Sequence, residues 1–293
     1  MQTIEDALQE PLFSNIEELG EHLLRNNQAL DLNTAVELGL RCANLSQAFA
    51  LAYRCALQTL LPSLDKTHWA AMCVTESQGN HPKQLQTYLD DNQQVFGHKS
   101  FVTMAGLANQ LIVIAKQGEM EGRPALKAMK VLTQQANVKV TKMPAMKMLQ
   151  DVPHGTIELS GAVGEILEGD GHADFSKPFR TLEDAHVLVA CSAMIMRQAK
   201  EAALPSDIMQ KALGVIAIVK GMSAMTYPWQ HLQLAEAFEL FEALCNKFEE
   251  VLSACSQEFS QQWLQDKALF KIAGKARLAR AEKAKQAIAE IMA

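Results

Sequence analysis

The spacing of apolar residues changes character twice along the chain, and those changes restrict the fold more than any other feature. From about 33 to 61 the apolar residues fall three and four apart, with Leu45, Phe49, Ala52 and Ala56 on one face, which predicts a helix with one buried stripe, ended by Pro62. Between about 67 and 171 the texture turns to short β-type runs at 69–75, 86–90, 100–104, 111–116, 128–132, 138–142 and 156–159. Gly118, Gly122, Pro124, Asn137, Pro144, Pro153 and Gly155 punctuate them, as turns require. Strands of this length and spacing predict an antiparallel sandwich or barrel.

After Pro178 the helical period returns. Thr181-Leu182-Glu183-Asp184 reads as a capped helix start, and Pro205-Ser206-Asp207 recaps a helix that ends near Gly221,. From Pro228 onward Leu234, Phe238, Phe241, Cys245, Phe248, Leu252 and Cys255 keep a four-three spacing, the pattern of bundle packing. A last helix is expected over about 260–291, with Lys267, Lys271, Lys275, Arg277, Arg280, Lys283 and Lys285 as a basic series. At the other end, 3–30 predicts a short acidic helical stretch in which Ser14 caps and Glu17 completes the box,. The expected fold class is α+β: short N-terminal helices over 1–66, an antiparallel β-sandwich or barrel over 67–176, and a C-terminal helical bundle over 177–293.

Composition excludes several roles for a chain of this kind. A net charge of -6 argues against nucleic acid as a partner,. No apolar run reaches membrane-spanning length, and Glu5, Asp6 and Glu10 replace the basic start of a signal peptide, so a cytoplasmic location is expected. The six cysteines lack CxxC spacing and the eight histidines lack ligand spacing; buried reduced thiols and no metal site are expected. No Gly-rich phosphate loop of dinucleotide type follows a strand.

Within the β-rich stretch, Cys73-Val74-Thr75-Glu76, then Gly97-His98-Lys99-Ser100-Phe101-Val102-Thr103, then Leu111-Ile112-Val113-Ile114-Ala115, and later Leu167-Glu168-Gly169-Asp170-Gly171 stand in fixed order. This series resembles the middle β-domain of the flavin-dependent acyl-CoA dehydrogenases, from about residue 36 to the end of the chain and most closely over 69–193. The resemblance implies FAD as cofactor, an acyl-CoA as substrate and an electron-transfer flavoprotein as electron acceptor. It places flavin contacts on Val74, Thr75, Phe101 and Thr103, where a hydroxyl or N–H stabilises charge developing on the ring.

The departures from the family pattern point the other way. Where the family has a Gly-rich loop ending Gly-Ser-Asp, this chain has Ser77-Gln78-Gly79-Asn80-His81-Pro82. The family's Arg-Thr-Phe-Gly segment has no counterpart over 203–229, and in the family's register its Gly-Gly flavin motif and usual catalytic Glu fall beyond Ala293. The first half of its N-terminal helical domain also lacks a match. Some family members carry the base in a Leu-Glu dipeptide on the first C-terminal helix, which makes Glu183 of Leu182-Glu183 the candidate base and Asp184 the second, although a helix-start role also explains both. The basic series of the last helix is read as CoA-phosphate contacts or as a solvated face. Two functions follow: FAD-dependent oxidation of an acyl-CoA, or a non-catalytic or regulatory subunit that has lost FAD and base, with weak or absent FAD binding expected. A homo-oligomer, or pairing with a related subunit through the C-terminal helices, is expected in either case.

Overall fold

In a computed structural model the described residues are 4–25, 29–120 and 122–293. The first stretch forms α1 (Ile4–Ala7) and α2 (Ile16–Arg25); residue 3 and residues 26–28 of the predicted N-terminal helical stretch lie outside the described residues. The α2 cap sits one residue later than the pattern suggested. Asn15 Oδ1 accepts the Glu18 N–H at 2.8 Å, and the Glu18 carboxylate accepts the Ser14 N–H and hydroxyl at 2.8 and 2.6 Å. This is a capping box built on Asn15 and Glu18.

The single helix expected over 33–61 is two helices, α3 (Leu32–Gly39) and α4 (Leu45–Leu60). Each has its own cap: Asp31 accepts the Asn33 and Thr34 N–H groups, and Asn44 accepts that of Gln47 at 3.0 Å. The apolar period continues across the break, so only the cap residues mark it. At the end of α3, a Cβ on Gly39 would lie 2.9 Å from the Ala190 carbonyl oxygen, which lets α3 lie directly against the first C-terminal helix.

Among the described residues eight strands follow: β1 (Ala70–Cys73), β2 (Tyr88–Leu89), β3 (Val95–Thr103), β4 (Gln110–Met120), β5 (Arg123–Leu132), β6 (Val138–Lys142), β7 (His154–Ala162) and β8 (Gly164–Ile166). They form one curled sheet in the order β6-β7-β3-β2-β4-β5-β8, with β1 added on β4. The pairing is antiparallel except that β1 and β2 run parallel to β4, a departure from the all-antiparallel expectation. Alternation divides β4 between two cores. Leu111, Val113 and Ala115 point into the sheet's own interior with Val95, Val102, Val131 and Ile157, while Ile112 and Ile114 face the helices. A strand buried on both faces reads as a continuous apolar run, which is how 111–115 reads.

A π-helical turn (Gly171–Ser176), capped by Asp170, leads into α5 (Lys177–Glu201). Helix α5 therefore begins a full turn before the start expected at Thr181. It is followed by α6 (Ser206–Gly221), α7 (Trp229–Glu250), α8 (Gln257–Asp266) and α9 (Gly274–Met292). The last helix expected over 260–291 is thus broken, at a 3-10 turn over Lys267–Lys271 and at Ala273, whose φ is +60°. The α7 stripe is buried as its period requires: Leu234, Phe241, Cys245 and Phe248 are in the core. Phe248 meets Phe259 and Trp263 of α8 edge-on, with ring centres 6.0 and 5.0 Å away. Replacing Phe248 by Ala is expected to cost roughly 3–5 kcal/mol of stability, to be read as a fall in the urea midpoint with the slope unchanged.

Candidate functional site

The chain just past the end of β1 meets β3. The Ser100 N–H donates to the Thr75 carbonyl at 2.8 Å, which sets Thr75 against the middle of β3, one residue ahead of Phe101. What holds them there is a charge pair inside the curled sheet. Lys99 is fully buried and its Nζ donates to Glu76 Oε1 at 2.8 Å, to the Ile114 carbonyl at 2.7 Å and to the Val74 carbonyl at 3.3 Å. The Glu76 carboxylate also accepts the Gln86 N–H at 2.6 Å and the Thr87 N–H at 3.1 Å. One ion pair thereby pins β1, β3, β4 and the far end of the loop after β1. Gly97 is needed for the same approach: its φ is +145° and a Cβ there would sit 2.5 Å from Thr87 Oγ1.

Burial pulls Lys99 below its ordinary pKa, against the attraction of Glu76. Burial also pushes Glu76 up, but the Lys99 ammonium and the Gln86 and Thr87 groups outweigh it and leave the carboxyl below its ordinary value. Glu76 Oε1 and the Ile114 and Val74 carbonyls give the Lys99 ammonium three acceptors.

At the mouth of this junction Phe101 takes a φ of +51° at a register shift between β3 and β7, and is 61% exposed. A bulky residue held in the left-handed region is strained, and here it leaves an aromatic face uncovered. The two threonines are not equivalent. His154, whose pKa burial lowers, donates through Nδ1 to the Val152 carbonyl at 2.9 Å, so its Nε2 accepts the Thr103 hydroxyl at 3.3 Å,. Thr103 thus offers a lone pair outward, whereas the Thr75 hydroxyl has no side-chain partner among the described residues and remains a donor. By donor type, Phe101 offers an uncovered aromatic face, Thr75 a hydroxyl donor and Thr103 an acceptor, the kinds of group a planar heteroaromatic ring takes. The loop that follows is closed on itself, because His81 Nδ1 accepts the Lys83 N–H at 3.3 Å at the start of a short 3-10 turn.

Helix α5 supplies the carboxylates. Tyr53 of α4 links it to β1, since its hydroxyl oxygen accepts the Met72 N–H at 2.9 Å and its ring meets Phe179 edge-on at 5.4 Å. Glu183 lies one turn beyond Phe179 on the same face of α5. Burial first, then the adjacent Asp184, raise its pKa from 4.5 to about 7, against Arg277 and Arg180. Its carboxylate makes no hydrogen bond or ion pair among the described residues.

Asp184 points the other way, toward α9. It accepts Arg277 Nε at 2.9 Å and pairs with Arg280, while the Arg277 guanidinium lies 4.3 Å from the Phe238 ring centre. Two members of the basic series on the last helix therefore close the bundle, and Lys271 and Lys275 remain exposed. Because α5 starts at Lys177, neither carboxylate lies in its first turn, and the helix-start explanation for them does not hold.

Neither a family model nor a curated protein sequence matches the chain. Solved structures do. Butyryl-CoA dehydrogenase from Megasphaera elsdenii superposes with a TM-score of 0.65 at 13% identity, over 97% of this chain and 93% of that one. The chain has the acyl-CoA dehydrogenase fold. FkbI, for biosynthesis of the methoxymalonyl extender unit of the Fk520 polyketide, superposes with a TM-score of 0.65 at 18% identity, over 92% of this chain and 93% of FkbI. The FAD complex of PigA gives 0.63 at 13% identity, over 96% of this chain and 91% of PigA. The likeness therefore takes in the N-terminal helices, ahead of the residue-36 start expected from the motifs.

Within this acyl-CoA dehydrogenase fold, sequence reasoning named the strand ends and the α5 carboxylates. It gave no role to Lys99, Glu76 or Tyr53. A charged pair inside apolar strands was the available signal for the first two.

Two stability measurements check the site. Lys99→Met leaves Glu76 buried without its partner and is expected to cost roughly 3–5 kcal/mol, with Glu76→Gln in the same chain recovering part of it. For Glu183 the folded pKa lies above the unfolded one, so its ionisation destabilises the fold as pH rises from 4.5 to about 7,. Glu183→Gln should therefore gain stability relative to wild type across that window, by roughly 3 kcal/mol at its upper end, and none below it.

Proposed function

We propose that this chain is a flavin-dependent oxidoreductase that removes two hydrogens from an acyl thioester of the CoA type, with Glu183 as the base. One observation carries the reading: of two adjacent carboxylates on α5, Asp184 is neutralised by two guanidinium groups, while Glu183 is unpaired and has a pKa of about 7. A carboxylate in that state accepts a proton at neutral pH. FAD, when bound, supplies a hydride acceptor. Phe101 would face its ring, the Thr75 hydroxyl would donate to the pole where negative charge develops, and the Val74–Thr75 backbone would border it. Glu183, one turn along α5 from Phe179, takes the α-proton. The electrons would leave to an electron-transfer flavoprotein. The FAD complex of PigA and the butyryl-CoA dehydrogenase among the structural neighbours support the cofactor and substrate class.

A second reading, a non-catalytic subunit on the same scaffold, is favoured by the loop at His81. That side chain satisfies its own turn where the family pattern has a small residue, which removes a share of the flavin contacts and weakens FAD.

Purified protein titrated with FAD and then mixed anaerobically with acyl-CoA of several chain lengths separates the two. Under the first reading flavin absorbance bleaches at a rate that rises with pH through about 7, and Glu183→Gln abolishes the bleaching. A colourless protein that takes up no flavin sinks the enzyme and leaves the subunit.

Self-association through the C-terminal helices belongs to the same proposal. Helices α7 and α9 flank a groove of about 660 Å³ with Phe238, Leu264 and Leu278 along it. Glu236, Glu239 and Glu242 of α7 line it with Lys271, while Lys267 and Lys285 pair with Glu249 and Glu282 of the same groove. A two-fold axis sets each copy's α7 carboxylates against the other's Lys271, so a second copy is the occupant. Sedimentation velocity should show a dimer at micromolar concentration that Glu239→Lys with Glu242→Lys converts to monomer; a monomeric wild type would exclude this interface.

A further inference from the structure

Thr103 and His154 are register partners in the β3–β7 ladder. Cross-strand partners carry their side chains on one face of a sheet, and Val102, the neighbour of Thr103, points to the other face, into the sheet's interior. The backbone of the pair is fixed on both sides. The Met104 N–H donates to the Pro153 carbonyl at 2.7 Å, and the Met143 N–H to the His154 carbonyl at 2.8 Å.

Burial lowers the His154 pKa below its ordinary value, against the Val152 carbonyl, which favours a neutral ring at neutral pH. A neutral imidazole carries a single N–H. The Val152 carbonyl, 2.9 Å from Nδ1, can only accept, so the proton sits on Nδ1 and Nε2 is bare,. Nε2 lies 3.3 Å from Thr103 Oγ1 and takes the hydroxyl proton. Thr103 is half-buried and has no other side-chain partner among the described residues, so its hydroxyl is left to a ligand as an acceptor. A carbonyl two residues back in the chain sets this tautomer, before any ligand arrives.

A hydroxyl that can only accept distinguishes two states of a flavin. The oxidised central ring has bare nitrogens, and uptake of two electrons with a proton puts an N–H there. In the reaction proposed above, the hydride supplies both electrons and that hydrogen. We propose that His154 is a positioning residue: by holding the Thr103 hydroxyl as an acceptor, it makes the site favour the reduced, N–H-bearing cofactor and raises its reduction potential. This rests on the flavin reading above and adds to it the control of redox poise.

Two measurements on the full chain test it. Proton–nitrogen correlation NMR of the flavin-free protein at neutral pH should show His154 protonated at Nδ1 and bare at Nε2; a protonated Nε2 overturns the proposal. The second is the two-electron potential of protein loaded with FAD, read against a reference dye. In His154→Phe and in Thr103→Val the preference for reduced over oxidised FAD is expected to fall about tenfold, or about 30 mV. His154→Gln, whose carboxamide oxygen can take the same proton, should stay near wild type. Because His154 acts through Thr103, adding His154→Phe to Thr103→Val should bring no further fall. Equal potentials in wild type and Thr103→Val, an equal fall in His154→Gln and His154→Phe, or a further fall in the double variant would each overturn the proposal and leave the flavin reading intact. If His154→Phe fails to fold, Thr103→Val and the tautomer still decide. A chain that takes up no FAD sinks the flavin reading itself, and this proposal with it.

Discussion

The ion pair between Lys99 and Glu76 is the interaction on which the candidate site depends. A buried charge pair is at best a neutral contribution to stability compared with apolar packing. Its effect here is positional: Lys99 uses its three donors on three different backbone or side-chain acceptors, and Glu76 draws the end of a loop back to the strand that begins it. Removing either charge would free Thr75 and Phe101 from a common frame. The strain at Phe101 and the hydrogen bond from Thr103 to His154 both persist because that frame does not yield.

The second junction is helical. Tyr53 joins α4 to β1 by a hydrogen bond and to α5 by an aromatic contact, so the carboxylate of Glu183 and the end of β1 are referred to the same side chain. Neighbouring residues on a helix point about 100° apart, and α5 uses that angle to divide two carboxylates between two tasks. Asp184 locks the last helix with Arg277 and Arg280, and Glu183 is left unpaired on the inner side. Which element each one faces decides its partners: Asp184 meets two guanidinium groups, and Glu183 pairs with none among the described residues.

Much of the fold was legible in the sequence. The change from three-four spacing to short β runs and back located the sheet and the bundle, because periodicity records which side of each element loses water. The motif order around Val74, Thr75, Phe101 and Thr103 carried the resemblance to the fold that the superposed structures show. Helix boundaries read less well: α3 and α4 share one apolar period across their break, α5 starts ahead of Thr181, and the final helix divides at Ala273. In each case the decision rests on a cap or a single left-handed residue, a local event that a pattern of many residues averages away.

The sequence by itself therefore determined the class of elements and their order. Only the tertiary structure decided that Lys99 and Glu76 meet inside the sheet, that β1 runs parallel to β4, that the Thr103 proton goes to His154, and that Asp184 is paired while Glu183 is not. Local sequence governs which residues are buried together on one element. Electrostatic state and hydrogen-bond partners depend on groups from elsewhere in the chain, and those exist only once the chain has folded.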